Sequence, residues 1–143
     1  MVTDSAGVWS TPQLQLFDAA VELEVAARRP DGGLRRWTSV WVVRVGENVF
    51  VRSWYRRETG WFAGAVAAGR VRVRVPGLDT EAAVVDLGGA SGYPRDTGER
   101  LRTQLFDDVD AAYRAKYGDY GNATVSAMVT EQARLTTLRL DPL

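Results

Sequence analysis

Apolar positions along this chain change period several times, and each change marks a predicted element. Thr11-Pro12 reads as a helix start, with Thr as the cap and Pro at the first helical position. Leu14, Leu16, Phe17, Ala20 and Val21 then form a short apolar face. From Val21 to Arg28 (VELEVAAR) the pattern turns to strand-like alternation, and Pro30-Asp31-Gly32-Gly33 is a turn. Residues 37–45 (WTSVWVVRV) and 48–55 (NVFVRSWY) flank Gly46-Glu47, which suits a two-residue type II′ hairpin. With Val45 paired to Asn48, Val43 falls opposite Phe50 and Trp41 opposite Arg52. One face then holds Trp41, Val43, Phe50, Arg52 and Trp54. The other holds Val40, Val42, Val49, Val51 and Ser53, with Arg44 as the exception. Both faces are largely apolar, so both are expected to be covered, as in a barrel or a sheet with a packed partner.

Gly60 to Ala68 reads as a short helix, stopped by Gly69 in the left-handed conformation. Residues 70–75 (RVRVRV) alternate strictly, with Val71, Val73 and Val75 inward and Arg70, Arg72 and Arg74 on the opposite face, seeking acidic partners such as Glu81 or Asp86. Pro76-Gly77 turns the chain, and Glu81 to Leu87 is another strand. Residues 88–99 (GGASGYPRDTGE) read as a long surface loop of the kind that serves as a lid. Leu101 to Tyr117 is the strongest helix, with Leu105, Val109, Ala112, Tyr113 and Tyr117 in one stripe and Gly118 closing it. A second helical stretch, Asn122 to Arg134, has a break near Thr130, and residues 136–140 (TTLRL) form a final strand. The count is about six mostly antiparallel strands with flanking helices, an α+β domain built on a small barrel. Residues 1–10 read as a loose N-terminal arm and 11–143 as a single domain.

Composition narrows the chemistry. The 143 residues hold 18 basic and 18 acidic side chains, which disfavours a nucleic-acid surface. There is no Cys and no His, so disulfides, thiol chemistry, His-based triads and His- or Cys-ligated metals are excluded, and no metal site is expected. No run approaches the ~20 apolar residues of a membrane span, and the N-terminus has no signal pattern, so the cytoplasm is the expected compartment. Seventeen of the eighteen bases are Arg, a residue suited to bidentate binding of phosphate or carboxylate, although a GC-rich genome gives the same bias.

Two groups of residues carry candidate chemistry. Arg52, Ser53, Arg56 and Arg57 crowd the start of the helix that Trp61 and Phe62 open, where free backbone N–H groups and the helix dipole favour an anion. The plain alternative is a solvated turn whose arginines pair with Glu58 and Glu47. Trp41, opposite Arg52, is either a cation–π partner or the wall on which a flat ring stacks. On the long helix, Asp110, Tyr113 and Tyr117 lie on or beside the apolar stripe. There they are core residues or, in a pocket, a base and a hydroxyl donor.

The order of strand, hairpin, Ser53, Arg-bearing loop, Trp61-Phe62 helix and VRVRV strand resembles the split β-barrel proteins that bind FMN or the deazaflavin F420. Residues 51–75 (VRSWYRRETGWFAGAVAAGRVRVRV) are most similar to the deazaflavin-dependent nitroreductase-like branch, in which a Trp-Tyr pair opens the helix. Residues 8–142, with DAAYRAKYG at 110–118 and TTLRL at the end, also resemble an uncharacterised family of small bacterial proteins grouped with these flavoproteins. The resemblance implies a homodimeric FMN- or F420-dependent oxidoreductase acting on a small organic molecule. Its cofactor phosphate would lie by Arg52, Arg56 and Arg57, and its ring system by Ser53, Trp61 and Trp41. The chain departs from that branch at residues 26–37 (AARRPDGGLRRW), where Arg28, Arg29, Arg35 and Arg36 stand in place of a Thr-Gly-Arg turn. That departure favours the alternative of a cofactor-independent cyclase or isomerase of a secondary-metabolite pathway on the same barrel. Its working groups would be Asp110, Tyr113 and Arg52. A non-catalytic ligand-binding protein is the third reading.

Overall fold

The computed structural model describes residues 8–53, 60–87, 95–120 and 122–143. Seven strands form one sheet: β1 (Leu23–Ala27), β2 (Thr38–Val40), β3 (Val42–Val45), β4 (Asn48–Val51), β5 (Arg70–Val75), β6 (Leu78–Asp86) and β7 (Leu138–Pro142). Their order is β2-β1-β5-β6-β7-β4-β3, every pairing is antiparallel, and the sheet curls into a nearly closed barrel. The helices are α1 (Thr11–Ala19), α2 (Gly60–Ala68), α3 (Arg95–Tyr117), α4 (Asn122–Met128) and α5 (Glu131–Arg134), with a 3-10 turn at Gly118–Tyr120. The α+β split barrel expected from the sequence is the fold observed.

The hairpin register is the one the sequence predicts: Val45 pairs with Asn48, Val43 with Phe50 and Val42 with Val51, and Gly46 takes φ 62°. Its two apolar faces are buried in two separate cores. Val42, Val49 and Val51 point into the barrel among Leu14, Phe17, Leu23, Val25, Val71, Val73 and Leu140. Val43 and Phe50 point outward and are covered by Phe106, Val109, Tyr113 and Tyr117 of α3 with Val125 and Met128 of α4. The stripe read along α3 is therefore the lid of the second core. Full burial of a Phe or Val side chain stabilises by roughly 1.5–3 kcal/mol, so hairpin and helix lock one another in place.

Several boundaries move, each for a local reason. The 37–45 run is two strands, because the ladder is interrupted at Trp41, and this raises the strand count from six to seven. The cap of α1 is Ser10 rather than Thr11. The Ser10 hydroxyl accepts from Gln13 N–H at 3.2 Å while the Gln13 side chain accepts from Ser10 N–H at 2.9 Å, a reciprocal box that Thr11 is placed one residue too late to make. α2 has the predicted bounds, and Gly69 follows at φ 77°. α3 begins at Arg95, inside the stretch read as a loop; residues 88–94 of that stretch lie outside the described residues. Trp9, counted with the N-terminal arm, is buried edge-on against Phe17 and donates its indole N–H to the Leu140 carbonyl at 2.8 Å. Of the β5 arginines, Arg72 lies 4.0 Å from the expected Glu81 but pairs more closely with Asp79, at 2.7 Å, which the sequence did not single out. Arg74 pairs with Glu24 at 2.8 Å and stacks over Trp37 at 3.9 Å.

Candidate functional site

The segment between β4 and α2 is held at both described ends. Continuing the β4–β7 register past Val51 and Leu138 brings Arg52 opposite Thr137 and Ser53 opposite Thr136. At that point side chains replace the ladder. Ser53 N–H donates to the Thr136 hydroxyl at 2.9 Å, and that hydroxyl lies 2.8 Å from the Ser53 carbonyl and 2.6 Å from the Ala133 carbonyl. Ser53 is buried at this junction. At the far end, Trp61 is half-buried against the barrel core and meets Phe62 edge-on at 5.7 Å, while α2 packs on β1, β5 and β6. Arg56 and Arg57, the predicted phosphate ligands, lie outside the described residues, as do Trp54 and Tyr55.

Arg52 is brought together with Asp110 and Tyr113, but inside the protein rather than at a surface. It is 1% exposed. Its Nε donates to the Thr137 hydroxyl at 2.8 Å, and its Nη1 to Asp110 Oδ1 at 2.5 Å and the Met128 carbonyl at 2.9 Å. Its Nη2 donates to the Phe106 carbonyl at 3.3 Å. The guanidinium carbon sits 5.6 Å over the Tyr113 ring. The other oxygen of Asp110 accepts from Arg134 Nε at 3.0 Å and Nη2 at 2.7 Å, and Arg134 also pairs with Asp107. The result is a four-residue chain of alternating charge, Arg52–Asp110–Arg134–Asp107, that bolts β4, α3 and α5 together. Both Asp110 oxygens accept from guanidinium, and these contacts drive Arg134 further toward its protonated form.

The aromatic wall is similarly engaged. Trp41 stacks on Tyr117 with centroids 4.0 Å apart and planes 2° apart. The Tyr117 hydroxyl lies 2.6 Å from the Val21 carbonyl and accepts from Val42 N–H at 3.1 Å. Burial pushes the Tyr113 phenol up, well above the usual tyrosine range, with the nearby Arg52 charge working in the opposite direction. Lys116, the chain's one lysine, donates to the Phe17 carbonyl at 2.9 Å and the Val42 carbonyl at 2.8 Å. Burial brings its pKa down to about 8 against an opposing pull from Asp18. Sequence reading missed Arg134, Thr136, Thr137 and the Met128 carbonyl as partners. The available signal was chemical: an Arg and an Asp on otherwise apolar faces require satisfied charges.

A separate feature opens on the barrel's flank. Arg28, Arg29, Pro30, Arg35 and Arg70 surround an open groove of ≈ 350 Å³ floored by Gly64, Ala67 and Ala68 of α2. Among the described residues no group of three or more acids capable of holding a metal ion occurs, and no helix is long and apolar enough to cross a membrane.

The fold is shared with a solved structure of low sequence identity. The heme storage protein HutZ from Vibrio cholerae superposes with a TM-score of 0.52 at 11% identity, covering 93% of this chain and 89% of that one. A conserved hypothetical protein, Rv2991 from Mycobacterium tuberculosis, gives 0.47 at 15% identity over 100% and 85%, and an F420 reductase gives 0.40 at 13% over 98% and 93%. No curated protein matches the chain closely enough to count as a relative. One family profile matches from Gln13 to Leu140, nearly the whole of the barrel, and the chain accordingly belongs to DUF2255, a family described as uncharacterized proteins conserved in bacteria.

Proposed function

We propose that the chain is a flavin- or deazaflavin-binding oxidoreductase that acts on a small organic molecule. The observation that carries this reading is the placement of the two described residues, Ser53 and Trp61, that flank the connection between β4 and α2. Ser53, at its start, is bonded to Thr136, and Trp61, just past its end, is seated on the barrel core. A phosphate held there would meet Arg56, Arg57 and the first N–H groups of α2. A ring system beside it would meet Trp61 and the Ser53 backbone. Trp41 would act from behind, its ring steadied by Tyr117. The bound cofactor, FMN or F420, would supply the two-electron chemistry, and the chain would supply position, charge and exclusion of water.

In this reading Arg52, Asp110 and Tyr113 form the supporting wall of the site. A proton-transfer role for Asp110 fits poorly with a carboxylate whose two oxygens both accept from guanidinium. A role for Tyr113 fits poorly with a buried phenol of raised pKa. The same two observations weigh against the cofactor-independent cyclase or isomerase. A homodimer is part of the proposal, and sedimentation velocity on the purified protein tests it.

The functional test is calorimetric titration of ligand-free protein with FMN and, separately, F420, on wild type and on an Arg56→Ala, Arg57→Ala variant. Micromolar binding of one of them, weakened at least about tenfold in the variant, a loss of ~1.4 kcal/mol, supports the reading. Binding of neither overturns it.

A further inference from the structure

The groove beside α2 is assembled by backbone pairing from residues far apart in sequence. The β1–β5 register sets Ala27 against Val71, which brings Arg28 level with Arg70. A bridge between Arg28 and Leu34 folds the 29–33 turn back, and Arg35 N–H donates to the Ala27 carbonyl at 2.8 Å. Four guanidinium-bearing residues therefore meet at one end of the strands, over the second half of α2.

Their charges are unequally answered. Arg28 is paired with Glu81 and also donates to the Gly32 carbonyl at 2.7 Å, so it is fixed as a wall. Arg29, Arg35 and Arg70 make no ion pair with a described residue, and all three are exposed. The acid of the turn, Asp31, directs one oxygen to Gly33 N–H at 2.8 Å. The partial charge at the α2 C-terminus is only about −0.5, too small to balance three guanidiniums.

The floor is built for close approach. A Cβ on Gly64 would fall 3.3 Å from Ala27 Cβ and 3.4 Å from Arg35 Cδ, so glycine lets the helix lie against β1 and the Arg35 stem lie across the helix. Ala67 and Ala68 continue that surface with single methyl groups. The volume of ≈ 350 Å³ is at the lower end of the range for small-molecule sites, roughly 300–1,000 Å³. Guanidinium is the group best matched to a bidentate phosphate contact.

We propose that this groove binds a phosphate monoester of sugar-phosphate size, with the phosphate held by Arg29, Arg35 and Arg70 and the less polar body resting on Gly64, Ala67 and Ala68. The site lies toward the opposite end of α2 from the Ser53–Trp61 connection and does not depend on the flavin reading.

The test is calorimetric titration of the full chain with ribose 5-phosphate, with pyrophosphate as a compact probe and ribose as the uncharged control. The variants are Arg35→Gln with Arg70→Gln, and separately Ala67→Trp, which fills the floor without changing charge. All the altered positions are exposed, and retained thermal midpoints confirm folding. The expected result is saturable one-to-one binding of ribose 5-phosphate but not ribose, weakened at least about tenfold by each variant. Failure of both phosphate probes to bind wild type overturns the proposal. So does phosphate binding that Ala67→Trp leaves unchanged, since that would be attraction to surface charge and not occupation of the groove.

Discussion

Replacing Asp110 with Asn exchanges one carboxylate oxygen for an NH₂ group and should cost a large share of the fold's stability. Among the described residues this carboxylate is the one anion touching Arg52, at 2.5 Å, and it also takes two bonds from Arg134. An Asn keeps the shape, but it presents an N–H₂ to one of the two guanidiniums and leaves Arg52 charged in a buried site. Breaking one partner of a buried pair typically costs 3–5 kcal/mol, roughly. Arg52 would keep the Thr137 hydroxyl and the Met128 and Phe106 carbonyls, so the lower end, about 3 kcal/mol, is expected. Set against a total of about 5–15 kcal/mol for a domain of this kind, that is between about a fifth and three fifths of the whole. Asp107 provides an internal control. It meets the same Arg134, but its side chain is 54% exposed, and Asp107→Asn should cost about 0–1 kcal/mol. Urea unfolding reads both. With a slope of about 2 kcal/mol/M, the Asp110→Asn midpoint should fall by about 1.5 M at unchanged slope, while the Asp107→Asn midpoint moves by no more than about 0.5 M. An Asp110→Asn midpoint within about 0.5 M of wild type would refute the reasoning.

Three further outcomes follow from the geometry. Lys116 should titrate near 8 rather than 10.5. Because its folded pKa is depressed, the unfolded chain binds more protons between those values, so stability should rise with pH across that window. As the one lysine, it gives a single Cε resonance in lysine-labelled protein, and an unshifted midpoint would contradict the burial argument. Trp9→Phe removes the indole donor to Leu140 while keeping the aromatic contact with Phe17. It should lower stability by about 1–2 kcal/mol in the same urea assay, and no change would mean that the N-terminal segment is not part of the core. Gly77→Ala forces a non-glycine residue to φ 92° with its Cβ 3.1 Å from Leu16 Cδ2. A loss of about 1–3 kcal/mol is expected, exceeding that of Gly46→Ala, where the added methyl meets open space; equal losses would deny the contact.

What could be read from the sequence was governed by local period. The 60–68 helix with its Gly69 stop, the Val45–Asn48 register and the double-sided burial of the hairpin all follow from patterns within a few residues. The two-core arrangement was implicit in that double-sided pattern. The Arg52 site was not legible in the same way, because its partners lie 54 to 85 positions away and include backbone carbonyls of Phe106 and Met128 that carry no side-chain signature. Opposite Arg52 across the hairpin the sequence offered Trp41 as a partner. In the structure the guanidinium turns to the Tyr113 ring on α3, and Trp41 stacks on Tyr117. The first turns of α3 were hidden by polar residues and Gly98, which give no apolar stripe. Trp9 stood alone, with no periodic neighbours to betray its burial.

The proposal divides the labour: the Arg56-Arg57 connection would bind the flavin or deazaflavin, while the Arg52–Asp110–Arg134 chain ties β4, α3 and α5 together beside the second core. One matrix tests it most directly, with affinity for FMN and F420 and the urea midpoint measured side by side on wild type, Arg56→Ala/Arg57→Ala and Asp110→Asn. The account predicts that the loop variant loses affinity at least about tenfold at an unchanged midpoint. It also predicts that Asp110→Asn keeps wild-type affinity per folded molecule at a lowered midpoint. An Asp110→Asn protein that folds as stably as wild type yet no longer binds or turns over would contradict it, and would place the chemistry on the carboxylate.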